Sequence, residues 1–534
     1  MVVDVLDLDK LGLLRLLWKT HPRIHFILRD SEGLPEARTL LFDYLNRLEK
    51  HYFNIYSDKR YKNIHILEKN NAKECIRVLK NVIRSENEKL TGVSALKTLR
   101  KLAKGNNKKL SSVSPGFLAE FYYLLKGIKG DSGIRPKIYT TIHENPTPLD
   151  EANKRSRRLD HYSQEMRDYF SRYHVGYDPR LKEKRRLFKE DILDYFGGIK
   201  SDWGDWRWHM KNIVSDRDTL GELIELSGSE RQGLYLADKY GIPYQITPHY
   251  LSLWDRAGRE SFDRVLRAQV LPSKTYCRNI VESRRKGLSM DFMEESSTSP
   301  VEGITRRYPQ ILILKPYDSC PQICVYCQRN WEVKGIGETD CDLGRTFKAI
   351  DWISDNPHIT EVLITGGDPL TLGNDTLDDI LGGLAEIDHI QRIRIGTRTL
   401  VTVPQRIDDG FTGLLDKYLD IGRRDVTVMT HFEHPVEFTY DSLYAVEKIK
   451  KKGVNIYNQQ VFTYYTSRRY ETCFLRKVLK KSGIDPYYTF NTKGKKETID
   501  FRVPLSRIEQ EAKEEARLLP GLDRTDEAVF NVPR

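Results

Sequence analysis

The chain has 534 residues, 39% hydrophobic and 31% charged, the balance of a globular protein too long for one compact core. No apolar run approaches the ~20 residues of a membrane span, and Met1-Val2-Val3-Asp4 places an acid where a signal peptide carries basic residues before an apolar stretch. Seven cysteines, an odd and mostly scattered set, are unlike a disulfide framework. Membrane and secreted classes are therefore excluded as expectations, and a reducing, cytoplasmic setting is expected.

Residues 1–190 hold 39 Lys+Arg against 24 Asp+Glu, so the net charge of +11 is carried by the front of the chain. The excess concentrates in Lys154-Arg155-Ser156-Arg157-Arg158 and Lys182-Glu183-Lys184-Arg185-Arg186. Such a surface can meet nucleic acid or an acidic protein. It can equally be a solvated helical face, the reading favoured here because no aromatic-interleaved RNA motif accompanies it. Apolar spacing predicts helices near 11–18 and 117–125, with loops at 105–109 and 144–148. Residues 1–190 read as a basic, mostly helical domain without an assigned role. Trp203-Gly204-Asp205-Trp206-Arg207-Trp208 opens a second helical segment, taken as 191–300.

From 301 to 534 the texture changes. Six β-rich runs, 311–318, 361–367, 392–398, 426–432, 455–463 and 486–491, alternate with helix-length segments such as 376–384 and 440–451. Strand–helix alternation predicts parallel strands with helical crossovers. The expected fold class is α/β, with an open, partial (β/α)6 barrel behind a largely helical N-terminal region. In such barrels the chemistry sits at the carboxyl ends of the strands.

Cys320, Cys324 and Cys327 follow the first of these strands in C-x3-C-x2-C spacing. Four cysteines usually hold a cuboidal iron–sulfur cluster, so three leave one iron open to a ligand. A structural zinc site is the alternative, and it would need a fourth Cys or His close by. Gly366-Gly367-Asp368-Pro369 ends the second strand, where glycines permit close backbone approach and a carboxylate can accept from an ammonium group. The triad resembles the signature of radical S-adenosylmethionine (SAM) enzymes. By that resemblance SAM chelates the open iron, Tyr326 stands beside the adenine, and Gly366, Gly367 and Asp368 meet the methionine amino group.

From about Trp203 onward the chain resembles the lysine 2,3-aminomutase family. The pieces that carry the likeness are DWGDWRWHMKN (202–212), ITPHYLSL (246–253), RRYP (306–309), the triad, TGGDPL (365–370), RIGTRT (394–399), VPQRI (403–407), THFEHP (430–435), NQQV (458–461), PYY (486–488) and DFRVP (500–504). The resemblance implies a [4Fe-4S] cluster, SAM and pyridoxal 5'-phosphate (PLP), and movement of an α-amino group to the β-carbon after a 5′-deoxyadenosyl radical removes a β-hydrogen. It also implies an amino-acid substrate, an electron donor such as flavodoxin or ferredoxin, and a homo-oligomer.

Residue roles carry over position by position. Arg329 matches the arginine that pairs with the substrate carboxylate, a task suited to a bidentate guanidinium. Arg307 and Tyr308 match residues beside the PLP phosphate and ring, and His431 and Gln459 match residues lining the SAM pocket. Cys473 falls near the family's structural-zinc cysteine, but without its companions it is read as a buried cysteine. Lys493 and Asn531 stand where lysine-specific members have two aspartates, as in glutamate 2,3-aminomutases. That exchange reverses the electrostatic preference of the side-chain subsite and predicts an acidic substrate such as glutamate ahead of lysine. Two departures are expected to matter: Asn330 replaces an arginine, and no lysine follows Asn531 where the family's PLP lysine lies. Rival readings are a relative acting in translation-factor modification, and a radical-SAM-fold protein whose basic half binds RNA or an acidic partner.

Overall fold

The structure, a computed structural model, describes residues 5–53, 64–133, 147–291, 293–339, 341–492 and 495–525. Seven strands form one sheet in chain order. β1 (Ile304–Thr305) is antiparallel to β2 (Ile311–Leu314). Then β2, β3 (Glu361–Ile364), β4 (Arg392–Gly396), β5 (Asp425–Thr430), β6 (Asn455–Phe462) and β7 (Asp485–Asn491) follow in parallel. The six parallel strands are those read from the β-rich runs; β1 is an addition, too short to show a period. Helices Leu343–Ser354, Asn374–Ala385, Asp409–Tyr418, Tyr440–Lys450 and Glu471–Lys481 supply the crossovers that parallel pairing requires.

Strand alternation decides which side chains the helices cover. Leu312, Leu314, Val362, Ile364, Ile393, Ile395, Val426 and Val428 are buried in one cluster with Ile353, Ile380, Leu384, Leu415 and Ile449 of the crossover helices. Truncating any of these leucines or isoleucines to alanine would cost roughly 2–5 kcal/mol. Residues of the opposite parity carry charge at the start of the strands, where Arg392 pairs with Glu361 (3.2 Å) and Asp425 (2.8 Å).

The chain divides into two units: Met1–Tyr169 with Ser467–Cys473 and Arg502–Leu519, and Phe170–Thr466 with Phe474–Phe501 and Pro520–Arg534. In the first, helix Lys10–Thr20 buries Leu13 and Leu17, and helix Pro115–Ile128 buries Leu118, Phe121, Leu124, Leu125 and Ile128, matching the two helices expected there. Ser114 caps the second of these by accepting from Phe117 N, with Pro115 in the first turn. The late segments are held within this unit by a buried Arg507, paired with Glu515 at 2.9 Å, and by Arg469, paired with Glu514 at 2.9 Å.

This division does not follow the sequence-based breaks at 190 and 300. Helix Pro179–Tyr195 buries Leu181, Phe188, Ile192 and Leu193 in the same core as the sheet, and that core continues across residue 300. The two basic runs also part company. The first lies on helix Pro148–Phe170, which buries only Met166. The second is spent on its own surroundings: Arg185 donates to the carbonyls of Gly176 and Val436, and Arg186 pairs with Glu183 and Glu190. Among the described residues no helix is long and apolar enough to cross a membrane.

Candidate functional site

Beyond β2 the chain runs through an irregular loop that carries Cys320, Cys324 and Cys327, all half-buried. Neighbouring polar groups fix this loop. Gln245 donates to Cys320 O (2.9 Å), Val325 N donates to Gln269 O (2.8 Å), and Arg329 N donates to Cys327 Sγ (3.3 Å). Burial pushes the Cys320 thiol well above its ordinary value, with Asp368 and the other two sulfurs adding to the effect. Burial and then Cys324 push Cys327 up to about 11. Thiols that raise one another in this way share one space and gain from a positive centre. Among the described residues no three His, Cys, Asp or Glu side chains close on a single metal ion. Three soft donors on one loop, met by N–H groups, are the donor chemistry of an iron–sulfur cluster.

Gly366 and Gly367 pack closely against the triad loop and the strand before it. Gly366 has φ +130° and lies against Lys315, while an added Cβ on Gly367 would strike the backbone of Ser319. Gly367 N donates to Tyr317 O (2.8 Å) and Asp368 N to Ser319 O (2.9 Å), so the end of β3 is laced to the triad loop. The Asp368 carboxylate is likewise occupied. It accepts from Leu370 N (3.0 Å), Thr397 Oγ1 (2.7 Å), Arg398 N (2.8 Å) and Thr399 Oγ1 (3.1 Å). Its side chain ties the end of β3 to the end of β4.

His431 follows the end of β5 and lies beside Gln459 of β6. His431 is bonded to the Gln459 backbone and is held to about 4, first by burial and then by Arg398. A bulge at Asn458/Gln459 re-aims β6 here, and Asn458 pins it by accepting from Phe432 N (2.7 Å). Glu433, buried and pushed up to about 8 by burial, accepts from Val461 N (2.6 Å). The Tyr326 hydroxyl donates to Gln269 Oε1 (3.2 Å).

A second cluster gathers around Glu295, whose side chain is 2% exposed. Arg329 meets it through Nη2 (3.1 Å) and Nε (3.3 Å), Arg307 at 3.3 Å and Lys315 at 3.8 Å, while Lys315 also meets Glu332 at 2.5 Å. Three cations face two carboxylates. Arg329 Nη1 and Arg307 Nε are buried without a hydrogen-bond partner, which is the chemistry an anionic carboxylate or phosphate would complete. Tyr308 is 67% exposed.

Lys493 and Asn531 lie outside the described residues. Lys495, two residues beyond Lys493 in sequence, is 4% exposed, donates to Gln328 O (3.2 Å) and Asn330 Oδ1, and pairs with Glu497 at 3.0 Å. Asn330 therefore fills its departure from the family pattern by bonding Lys495, Glu497 and Tyr276. Cys473 is buried with its thiol facing Glu511 at 3.8 Å, as a core cysteine.

Seven strands with helical crossovers make this an α/β protein that carries three thiols on the loop beyond β2. The chain is 38% identical to an uncharacterised KamA family protein of Methanocaldococcus jannaschii, over 96% of this chain and 85% of that protein. It is 36% identical to the glutamate 2,3-aminomutase of Clostridioides difficile, over 59% of this chain and 71% of that one. It is 33% identical to the L-lysine 2,3-aminomutase of Clostridium subterminale, over 61% and 74%. No protein-family model matches the chain. The chain belongs to the KamA family, the family of the lysine and glutamate 2,3-aminomutases.

Sequence reasoning overlooked Glu295, Arg398, Glu433, Glu437 and Lys495. Arg398 lay within the RIGTRT piece and Glu433 and Glu437 lay in or beside THFEHP. Nothing in their spacing distinguishes a buried charge at a strand end from an exposed one.

Proposed function

We propose that the chain is a radical SAM, PLP-dependent amino-acid 2,3-aminomutase acting on an acidic amino acid, glutamate before lysine. The observation that carries this reading is Arg329: a buried guanidinium with one unpartnered N–H, two residues beyond Cys327, whose sulfur accepts from its own backbone N–H. A substrate carboxylate bound there would be held beside the cluster position. Cys320, Cys324 and Cys327 would hold the cluster; Tyr326, His431 and Gln459 would line the SAM pocket; Arg307 would meet the phosphate of PLP. When bound, cluster and SAM supply a radical able to take an unactivated hydrogen, and PLP supplies an acceptor for the migrating nitrogen. The residues of the chain position and shield: Asp368 and Gly367 keep the triad loop on the end of β3, and Arg329 orients the carboxylate.

The excess of Arg307, Lys315, Arg329 and Lys495 over Glu295, Glu332 and Glu497 supports an anionic substrate, as does the glutamate 2,3-aminomutase among the relatives. The test is anaerobic. The protein is reconstituted with iron, sulfide, SAM, reductant and PLP, and incubated with glutamate or lysine. Formation of the β-isomer of glutamate in excess over that of lysine is expected. Cleavage of SAM with rearrangement of neither amino acid would overturn the reading.

A further inference from the structure

Arg398, at the end of β4, has no role in the reading above, yet it is among the most heavily engaged side chains of the described residues. Its side chain is 10% exposed. Nη1 donates to Cys324 Sγ at 2.9 Å, Nη2 to Gln269 Oε1 at 2.5 Å and Glu437 Oε1 at 2.8 Å, and Nε to His431 O at 3.3 Å. The guanidinium also lies over the ring of Tyr250, 5.5 Å from its centroid.

Each partner is itself fixed. Glu437 is fully buried, receives Tyr250 Oη (3.1 Å) and Gln269 Nε2 (3.3 Å) on the same oxygen that Arg398 uses, and accepts from Glu433 N (2.7 Å) on the other. Gln269 receives Tyr326 Oη and, through its carbonyl, the backbone of Val325. The cation is thus aimed at one sulfur of the triad by Gln269, Glu437, His431 and Tyr250, and no other guanidinium or ammonium among the described residues donates a side-chain hydrogen bond to these sulfurs.

We propose that Arg398 sets the reduction potential of the cluster that the triad would hold, by donating a charged hydrogen bond to the Cys324 sulfur. The inference rests on the iron–sulfur reading. Reduction adds one negative charge, shared partly by the thiolate sulfurs. A buried N–H donor with full positive charge stabilises that state more than the oxidised one, and hydrogen bonds to sulfur are among the levers that set cluster potentials. Low local dielectric enlarges the effect. Arg398 is a positioning residue: it touches a ligand of the cluster and not the substrate. The Glu437 carboxylate keeps it charged and prevents it from turning away.

The test compares the unmodified protein, Arg398→Lys and the double variant Arg398→Gln/Glu437→Gln, which leaves no buried charge without its partner. Each is reconstituted anaerobically, its iron and sulfide are counted, and its one-electron midpoint is read by EPR at controlled potential without SAM or amino acid. The expected result is a midpoint lower in the double variant, with the reduced-to-oxidised ratio at fixed potential falling about tenfold, equal to 59 mV for one electron. Arg398→Lys should fall between the two, because it keeps the charge and loses the fork geometry. Variants with full iron and an unmoved midpoint would overturn the proposal, whether or not their affinity for SAM had changed. An unmodified protein that takes up no cluster would overturn the iron–sulfur reading as well, an outcome distinct from an unmoved midpoint.

Discussion

A Cβ on Gly367 would stand 2.6 Å from the amide nitrogen of Ser319 and closer still to its carbonyl oxygen, so the end of β3 and the root of the triad loop are in direct backbone contact. The position of Cys320, one residue on, therefore depends on a glycine 47 residues later in the chain. Gly367→Ala must push the loop away or deform β3. The expected outcome is a protein that keeps its helical circular dichroism yet binds less than half the iron of the unmodified chain after reconstitution. Full iron uptake would show that the loop can move without cost.

Glu295 gathers three cations and offsets their mutual repulsion. Removing its charge leaves Arg307 and Arg329 buried with less compensation, and breaking one partner of a buried ion pair typically costs ~3–5 kcal/mol. Glu295→Gln is expected to lower the thermal midpoint of the protein clearly, and Glu295→Gln/Arg307→Gln to recover part of that loss. A double variant no more stable than the single one would show that Arg307 does not depend on Glu295. Differential scanning calorimetry reads both.

His209 and His249 lie in two of the family-like pieces, with ring centroids 6.3 Å apart and His209 bonded to Trp203 O at 2.9 Å. Burial holds both to about 3, well below the ordinary 6.5. The unfolded chain takes up these protons first as pH falls. Their contribution is therefore complete above pH 6.5 and is lost progressively between pH 6.5 and 3, by about one decade in the unfolding constant per pH unit and per histidine. Urea titrations followed by tryptophan fluorescence should show this slope, and His209→Gln should flatten it.

Arg406 is fully buried and donates to Leu370 O (2.9 Å) and Leu372 O (2.8 Å), the carbonyls just beyond Asp368. Arg406→Gln leaves these acceptors unpaired at about 1–3 kcal/mol each. Faster amide exchange across residues 368–373, with the β4 and β5 amides unchanged, is the expected result; equal exchange in both proteins would count against this role.

Short apolar, β-rich runs such as Ile311–Leu314 and Val362–Ile364, spaced by helix-length segments, were enough to locate the six parallel strands, because such runs are a property of neighbours in sequence. The cysteine spacing, too, is local chemistry, and it needs only one loop to be read. What the linear order could not show is which distant groups meet. The oxygens of Asp368 accept from Thr397, Arg398 and Thr399 across the β3–β4 junction, a tie between strand ends that the GGDP motif does not announce. Arg398 reaches Cys324 across 74 residues, and Glu295 reaches Arg329 across 34. Burial of a charge is decided by the sum of such contacts, a property of the folded sheet and its loops, and no residue type or spacing encodes it alone.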